Sequence, residues 1–258
     1  MIKAIFFDID GTLLSFKTHA VHPSTLRALQ TLRRQGVRLF ISTGRHELLI
    51  NNLDTSFFDG IVSLNGQCVR IGGKTIHANA MTAEDARVAV EFVTEHRLAT
   101  IFEGIDFMRL NLMTDRAREG AALLDLRMPA VQDVSDIPDY PMLQLIVFCS
   151  PEQERELVAR MPSCEATRWT PLLCDVMPLG GGKHIGIQKV LDYYGFTHEE
   201  CMAFGDGEND ISMLRYVGLG VAMGNADAEV KAAADYVTTS TDDSGIARAL
   251  RRFGVIPA

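Results

Sequence analysis

The chain has 258 residues, of which 47% are hydrophobic, and a formal net charge of −8. This length suits one large domain or two modest ones, and the hydrophobic content is high enough for a full core rather than a disordered chain. The negative charge argues against broad binding to nucleic acid or anionic membranes. An anionic substrate would therefore need a local cationic site or a metal.

The cysteines and the N-terminus predict a cytoplasmic protein. No basic region precedes a long apolar run, and no apolar stretch reaches the roughly 18 to 20 residues of a membrane span. The five cysteines are odd in number, scattered and without CxxC spacing, so we expect reduced thiols and no zinc site. The sequence predicts no membrane partner and leaves the oligomeric state unknown.

The N-terminal segment predicts a buried strand that ends in two carboxylates. Ile2–Phe7 is a run of β-branched and aromatic residues, as in a strand covered on both faces. Asp8 and Asp10 follow at the carboxyl end, where open α/β sheets bind ligands. Two ionised carboxylates this close repel each other, and a bound Mg²⁺ would remove that repulsion. Taken alone, the pair is equally explained as turn residues.

A helix and a second strand predict a βαβ unit. Pro23–Gly36 has leucines at helical spacing, and Val37–Ile41 is apolar, so the connection should cross over with the right hand. Ser42–Arg45 follows at the same sheet edge, where hydroxyls and free N–H groups can hold a phosphate. The alternative is that Ser42 or Thr43 caps a helix over 46–53. The side chain of Arg45 suits an anion or a nearby carboxylate.

The middle of the chain predicts an inserted domain. After a strand at 60–64 and a hairpin turning at Gly72-Gly73, the capping-box pattern Thr82–Asp85 opens a different, αββ order. We therefore expect residues 82–180 to form an α+β insert, with 1–81 and 181–258 as the core. Gly180–Gly182 is interpreted as a hinge, because the Walker A spacing is absent. The elements expected in the insert are helices at 82–96, 115–124 and 152–161 and strands at 99–103, 107–112, 142–149, 165–168 and 172–177.

The last third returns to strands that end in polar residues. Lys183 is the first residue of a predicted helix that ends before Gly195. A lysine in the first turn of a helix is unfavourable for the helix dipole, which suggests a role other than helix stability. The alternative is a solvated surface lysine. The strand Cys201–Phe204 is followed by Gly205–Asp210, with three carboxylates and an amide. This segment does not fit the EF-hand spacing, and its alternative is an acidic turn. A last strand is expected at 218–223 and helices at 227–234 and 244–253, with Ser244 as an N-cap.

Together these segments resemble the haloacid dehalogenase superfamily of phosphohydrolases. The motifs that carry the resemblance are Asp8-x-Asp10-Gly11-Thr12, Thr43, Lys183 and Gly205-Asp206-Gly-x-Asn209-Asp210. The insert looks like the C2B cap of the Cof-type (IIB) subfamily, and the segment Gly220–Ala226 is similar to that subfamily as well. Gly-Gly-Gly before Lys183 departs from the commoner pattern. The resemblance implies a doubly wound, mostly parallel Rossmann-like sheet with an inserted α+β cap.

The resemblance also implies roles for individual residues. Asp8 would be the nucleophile that forms an aspartyl-phosphate, and Asp10 the general acid and then base. Mg²⁺ would be held by Asp8, Asp206 and the backbone carbonyl of Asp10, with Asp210 supporting it through water. The groups expected to hold the phosphoryl oxygens are the Ile9 backbone, Ser42, Thr43, Lys183 and Asn209.

The cap would close over the site, exclude water and choose the leaving group. Its candidate specificity residues are Glu103, Arg168 and Trp169, although Trp169 is better explained as a packing residue. The expected activity is hydrolysis of small phosphorylated metabolites, either sugar phosphates or cofactors such as pyridoxal phosphate or flavin mononucleotide. The alternatives are a phosphotransferase or mutase that uses the same intermediate, and a non-catalytic metabolite sensor.

Overall fold

The computed structural model describes residues 1–123 and 128–257 and, at Trp169, the backbone alone. The chain divides into two compact units, one formed by Met1–His77 with Gly182–Ala258 and the other by Ala78–Gly181. Both unit boundaries fall close to the ends of the predicted insert. That the second unit acts as a cap stays a prediction.

Strands and helices alternate in parts of the first unit, and pairs of consecutive strands occur in the second unit. The strands in the described residues are β1 (Ala4–Phe7), β2 (Arg38–Ser42), β3 (Gly60–Ser63), β4 (Cys68–Ile71), β5 (Lys74–Ala78), β6 (Thr100–Gly104), β7 (Met108–Leu110), β8 (Met142–Val147), β9 (Cys164–Thr170), β10 (Leu173–Pro178), β11 (Cys201–Gly205), β12 (Leu219–Ala222) and β13 (Tyr236–Val237). The helices are α1 (Pro23–Arg34), α2 (Ala83–Glu95), α3 (Asp115–Leu123), α4 (Pro151–Arg160), α5 (Lys183–Tyr194), α6 (Ile211–Tyr216), α7 (Ala228–Ala233) and α8 (Gly245–Arg252).

The first unit is built on an eight-stranded mixed sheet in the order β13-β12-β11-β1-β2-β3-β4-β5. The strands from β13 to β3 are parallel neighbours, and β4 turns back antiparallel to β3. The central strand β1 pairs Ala4 with Cys201 on one side and with Arg38 on the other. This confirms the predicted α/β class and brings the carboxyl ends of β11, β1 and β2 to one edge.

Helices cover both faces of this sheet and bury the side chains of β1, all of which are apolar. Ile5 and Phe7 pack in one cluster with residues of α1 and α8, such as Leu29 and Leu250. Phe6 packs on the other face with residues of α5 and α6. A strand buried on both faces cannot slip by one residue without exposing one set of side chains, so the ends of β1 are fixed in position.

The second unit has an antiparallel sheet in the order β7-β6-β8-β10-β9. On one face, Phe102 and Leu145 pack with Phe92 of α2 and Leu157 of α4. On the other, Ala117 of α3 belongs to a smaller cluster with residues of β6 and β8. The predicted end of α3 at Leu124 lies outside the described residues.

One local prediction was wrong, and another is confirmed in position alone. The helix expected over 46–53 is only a 3-10 turn at Glu47–Leu49, capped by the His46 side chain. The Asn- and Asp-rich segment that follows favours turns, which ends the helix after one turn. Ser244 occupies the predicted N-cap position of α8, with a left-handed φ of 59° and without a side-chain cap bond. In the described part of the chain, no helix combines the length and apolar character of a membrane span.

The close packing of α6 on β12 predicts a large cost for Gly220→Ala. An alanine Cβ there would lie 2.1 Å from the backbone oxygen of Leu214, so strand or helix must shift. We expect the free energy of unfolding to fall by about 2–3 kcal/mol. Gly36→Ala is the control, since its Cβ meets nothing within 4 Å and only its φ of +79° is unfavourable, at about 1 kcal/mol. Urea unfolding of both variants measures the difference, and equal losses would contradict the packing argument.

Candidate active site

Polar side chains collect at the edge where β1, β2 and β11 end. Asp8 follows β1, Thr43 follows β2 and Asp206 follows β11, and the parallel registers of these strands bring the three positions together. Lys183 is the first residue of α5 and is also fully buried. The sheet edge predicted from the sequence is therefore the place where the candidate residues meet.

The ammonium group of Lys183 lies between two carboxylates. Its Nζ donates to Asp8 Oδ1 at 2.7 Å and to Asp210 Oδ1 at 2.6 Å, and its side chain has no exposed surface. Burial disfavours the charged form, but the carboxylates of Asp210 and Asp8 outweigh it and raise the pKa of Lys183 above its ordinary value. Lys183 is thus a charged group of the site and not a solvated surface lysine.

Both carboxylate oxygens of Asp210 are already hydrogen-bonded. Oδ1 accepts from Lys183, and Oδ2 accepts the backbone N–H groups of Asp206 and Gly207 at 2.9 Å each. Asp210 therefore holds the loop after β11 in shape. Its committed oxygens agree with a supporting role behind a metal ligand, which stays a prediction.

Three carboxylates are close enough to surround a divalent cation. One oxygen each from Asp8, Asp206 and Asp210 lies within 4.8 Å of the others. Burial raises the pKa of Asp206 to about 7, although a hydrogen bond from Thr12 Oγ1 at 2.7 Å opposes this shift. Burial also raises the pKa of Asp8 above its usual range. Clustered hard oxygens suit Mg²⁺, and because Asp210 is engaged elsewhere, Asp8 and Asp206 are the side chains that fit it best.

Gly11 shows how closely the loops after β1 and β11 approach each other at this cluster. Its φ is +81°, and a Cβ there would lie 2.0 Å from Asp206 Oδ2. Only glycine fits, because any side chain would be strained by the backbone conformation and would displace the carboxylate.

The carboxylate of Asp10 points to Arg45 and does not belong to this cluster. Arg45 donates from Nε to Asp10 Oδ2 at 2.7 Å and from Nη2 to Oδ1 at 2.5 Å. Its Nη1 is held in turn by the Leu49 carbonyl at 3.3 Å and Asn52 Oδ1 at 3.0 Å. The question that the sequence left open for Arg45 is answered in favour of a carboxylate partner. Whether the Asp10 carbonyl ligates a metal stays a prediction.

The predicted phosphate-binding residues differ in their surroundings. Thr43 Oγ1 accepts the Arg45 N–H at 3.1 Å, which leaves its hydroxyl proton able to donate. Ser42 Oγ is buried and has no hydrogen-bond partner among residues 1–123 and 128–257. The Ile9 side chain is in the apolar core, and its carbonyl accepts the Leu14 N–H at 2.8 Å. These three calls stay predictions.

Asn209 contacts a residue that sequence reasoning did not select. Its Nδ2 donates to Asn65 Oδ1 at 2.9 Å. Asn65 follows β3 with a left-handed φ of 52°. Asn65 follows the strand predicted at 60–64, and its position beyond a neighbouring parallel strand is the signal that could have found it.

Asn225 and Thr241 are two further residues that were missed. Asn225 Nδ2 donates to the Gly11 carbonyl at 2.9 Å and to Asp206 Oδ2 at 3.1 Å. Thr241 donates its backbone N–H to Asn225 Oδ1 at 3.0 Å, and its hydroxyl bonds the Gly11 carbonyl. They tie the loop after β1 to the Asp206 carboxylate. Asn225 follows β12, so the rule that found Asp206 also applied to it.

The specificity candidates of the second unit have different surroundings. Arg168 is engaged inside the unit, since it pairs with Glu154 and donates to the Cys149 carbonyl at 3.2 Å. Glu103 is buried on β6, where burial and the nearby Asp175 raise its pKa well above the usual range. The Trp169 side chain lies outside the described part of the structure. Their roles in specificity stay predictions.

The geometry and the motif order agree with a comparison to known families. A family model for haloacid dehalogenase-like hydrolases matches residues 5–250. The chain belongs to this family. The resemblance seen in the four sequence motifs is thereby confirmed.

Relatives and solved structures of this family indicate the class of reaction. “Putative phosphatase YkrA” of Bacillus subtilis is 35% identical over 256 residues, which is 98% of each chain. The 5-amino-6-(5-phospho-D-ribitylamino)uracil phosphatase YcsE of the same organism is 28% identical and covers 98% of this chain and 96% of its own length. Some other relatives are longer, and this chain spans 46% and 54% of two of them.

The solved structure of the HAD subclass IIB sugar phosphatase BT4131 has a TM-score of 0.86 at 37% identity, and covers 98% of this chain and 100% of its own length. The protein is thus a phosphatase of the haloacid dehalogenase family that acts on phosphorylated substrates.

The carboxylate cluster predicts a metal site that depends on Asp206. Replacing Asp206 by Asn removes a charge from the pair that fits Mg²⁺, so we expect the affinity for Mg²⁺ to fall by more than about tenfold. Calorimetric titration of metal-free protein with Mg²⁺ measures this. Asp227→Asn is the matched control, because Asp227 is exposed and makes no side-chain cap bond. Equal Mg²⁺ affinity in both variants would contradict the assignment.

The raised pKa of Glu103 predicts a pH-dependent stability. A folded pKa above the unfolded value of about 4.3 favours the protonated form in the fold. Its stabilisation is complete below the unfolded pKa and is lost as the pH rises through the folded pKa. The melting temperature of Glu103→Gln relative to wild type should therefore increase as the pH rises from about 4 to about 8. Glu91→Gln, on the exposed side of α2, should show no such trend.

Proposed function

We propose that this phosphatase hydrolyses small phosphomonoesters in a Mg²⁺-dependent reaction that passes through an aspartyl-phosphate on Asp8. The observation that supports it best is the buried contact of Lys183 with Asp8, beside Asp206. A carboxylate held by a fixed cation, with room for a metal next to it, can approach an anionic phosphate that would otherwise repel it.

In this proposal Asp8 is the nucleophile. Its Oδ1 is held by Lys183, so Oδ2 remains to attack phosphorus. A bond forms from Asp8 Oδ2 to phosphorus while the bond to the ester oxygen breaks. Water then attacks the phosphorus of the aspartyl-phosphate, and inorganic phosphate leaves with regeneration of the carboxylate.

Asp10 would transfer the protons in both steps of the reaction. It gives a proton to the departing alcohol oxygen and later accepts one from the attacking water. Arg45 is a positioning residue here: it now binds both oxygens of Asp10, and in the proton-transfer steps it would hold one of them while the other carries the proton. Such fixed geometry matters because a proton donor works only within hydrogen-bond reach of the reacting oxygen.

The remaining groups would balance charge and hold the substrate. Magnesium, when bound by Asp8 and Asp206, supplies positive charge that neutralises the phosphoryl oxygens. Lys183 adds a fixed positive charge near the same oxygens. Ser42, Thr43, Asn209 and the Ile9 backbone would contribute hydrogen bonds to them. The buried Ser42 hydroxyl without a partner in the described residues supports its part in this set.

The substrate would be a small phosphorylated metabolite, a sugar phosphate or a cofactor phosphate such as pyridoxal phosphate or flavin mononucleotide. Two relatives support this choice through their names, a sugar phosphatase and a phosphatase of a ribitylaminouracil phosphate. The second unit would act as the cap that excludes water and selects the leaving group.

The proposal is tested by phosphate release from a panel of phosphorylated metabolites, with and without Mg²⁺. Wild type should release phosphate only with the metal, and Asp8→Asn should lose activity by several orders of magnitude, because no nucleophile remains. Asp227→Asn is the control for an exposed carboxylate. Transfer to added alcohols at the expense of free phosphate would favour a phosphotransferase. Absence of release, in a folded protein that binds Mg²⁺, would contradict the proposal and favour a sensor.

The Asp10–Arg45 pair gives a second prediction. Arg45→Ala should lower kcat by about tenfold to a hundredfold, because the proton donor is no longer held in place. Mg²⁺ affinity should stay unchanged, since Arg45 does not contact Asp8 or Asp206. Steady-state kinetics and Mg²⁺ titration measure the two quantities. The control is Arg251→Ala at the exposed end of α8, and an Arg45→Ala enzyme with wild-type kcat would refute the positioning role.

A further inference from the structure

Two buried cysteines lie side by side in the second unit. Cys174 on β10 is paired with Val147 on β8, two residues before Cys149 in the chain. The Cys149 and Cys174 sulfur atoms are 3.5 Å apart, and both side chains belong to the core that α2 and α4 cover. Both cysteines are free thiols in this structure. We call Cys149 and Cys174 the thiol pair.

A bond between the two thiols needs only a small movement. The sulfurs would have to approach each other by about 1.5 Å to reach a disulfide length of about 2.05 Å. Rotation of each side chain about its Cα–Cβ bond displaces the sulfur by amounts of this size. The thiol pair can therefore link β10 to the chain segment that follows β8.

Two guanidinium groups lie next to Cys149. Arg168 Nη2 donates to the Cys149 sulfur at 3.4 Å and to the Cys149 carbonyl at 3.2 Å. Arg116 Nη1 donates to the same carbonyl at 3.4 Å. A neighbouring positive charge stabilises a thiolate, which is the reactive form of cysteine.

The two thiols differ in acidity. The hydrogen bond with Cys174 and the charge of Arg168 outweigh burial and lower the pKa of Cys149 below its ordinary value. The same hydrogen bond, together with burial, raises the pKa of Cys174. Cys149 is therefore the nucleophile of the pair, and Cys174 keeps its proton. Burial raises the pKa of Cys164, a third thiol of the same core, to about 12.

We propose that the thiol pair is a redox-active site that a small hydroperoxide, in the simplest case hydrogen peroxide, oxidises to a reversible disulfide. The Cys149 thiolate attacks one peroxide oxygen, so that a sulfur–oxygen bond forms and the oxygen–oxygen bond breaks. Cys149 becomes a sulfenic acid, and the hydroxide that leaves takes up a proton and becomes water.

The second step joins the two sulfurs. The Cys174 sulfur attacks the Cys149 sulfur, the sulfur–oxygen bond breaks, and hydroxide leaves as water with the Cys174 proton. In total the two thiols lose two electrons and two protons, and one hydrogen peroxide is reduced to two waters. A dithiol reductant reverses the disulfide by thiol–disulfide exchange.

The surroundings of the thiol pair favour a small oxidant. Neither cysteine has exposed surface. Arg168 pairs with Glu154, and these two side chains are 17% and 19% exposed, so Arg168 extends from the Cys149 sulfur to solvent. A bulky reagent has to displace this ion pair, whereas hydrogen peroxide, only slightly larger than water, needs a local side-chain motion.

The disulfide would cross-link the second unit alone. It would join positions 25 residues apart and close a loop that carries α4 and β9. The proposal does not rest on the phosphatase mechanism, because Asp8 and Lys183 belong to the first unit.

Peptide mass analysis of the wild-type protein tests the proposal first. The protein is treated with hydrogen peroxide, unfolded with N-ethylmaleimide to block free thiols, and digested with trypsin without reductant. Cleavage after Lys and Arg places Cys149 in peptide 128–155, Cys164 in 161–168 and Cys174 in 169–183. Peptides 128–155 and 169–183 should be joined, at a mass two hydrogens below their sum, and dithiothreitol should separate them.

Cysteine variants test the roles of the two sulfurs. In Cys174→Ala the sulfenic acid on Cys149 lacks its partner, so dimedone should label Cys149. In Cys149→Ala the reaction of Cys174 with peroxide should be at least about tenfold slower, because its thiolate is disfavoured. Cys164→Ala is the matched control in the same core and should form the disulfide at the wild-type rate.

Arginine variants test the activation of Cys149. Arg168→Gln should slow disulfide formation by about tenfold, because the thiolate loses its positive neighbour. Arg168→Lys keeps the charge and should restore most of the rate. The loss of free thiols with time measures both rates, and melting temperatures show that the variants are folded.

Three results would overturn the proposal. The first is wild-type protein whose peptides 128–155 and 169–183 stay separate at peroxide concentrations that oxidise its methionines. The second is an equal yield of links to peptide 161–168, which would indicate unselective oxidation of an unfolded chain. The third is conversion of Cys149 to a sulfinic acid while Cys174 remains a thiol. An unchanged rate in Arg168→Gln would refute the activating role of Arg168.

Discussion

One buried ammonium group holds the charges of this site in place. Lys183 has no exposed surface and donates to both Asp8 and Asp210. A charge removed from water is tolerated only when it is paired, and loss of one carboxylate would leave the buried ammonium with a single charged partner. Asp210 also fixes the loop after β11, because its second oxygen accepts the backbone N–H groups of Asp206 and Gly207. The conformation of the loop after β11 therefore depends on the same cation that positions the nucleophile.

The apolar sheet fixes the positions of these charged residues but does not take part in the reaction. β1 is buried on both faces and is paired in register with β2 and β11, so the residues after these strands meet at one edge. The loops then need small residues, as at Gly11, where a Cβ would collide with Asp206. Asn225, which follows β12, donates to the Gly11 carbonyl, and Thr241, in the segment beyond β13, donates to Asn225. The acidic groups are thus closely packed among rigid neighbours, and their negative charge is balanced by the Lys183 ammonium group.

Much of the fold could be predicted from the sequence, because apolar runs, helical spacing and Gly or Pro boundaries are local signals. The strand Ile2–Phe7 and the carboxylates after it follow from such signals, and parallel strands place Thr43 and Asp206 at the same edge. The contacts themselves could not be predicted this way. Lys183 and Asp8 are 175 positions apart, and Asn209 and Asn65 are 144 apart. Nor does spacing reveal that Arg45 pairs with Asp10, or that the segment after His46 makes one short turn.

The most direct test of the account is to trap the phosphorylated enzyme. Asp10→Asn should still react with p-nitrophenyl phosphate, whose leaving group needs no proton, but should lack the base for the second step. Rapid acid quench and peptide mass analysis should then find one phosphoryl group on Asp8. Release of nitrophenol with no phosphoryl group on Asp8, or a phosphoryl group that persists in the Asp8→Asn/Asp10→Asn double variant, would contradict the central claim.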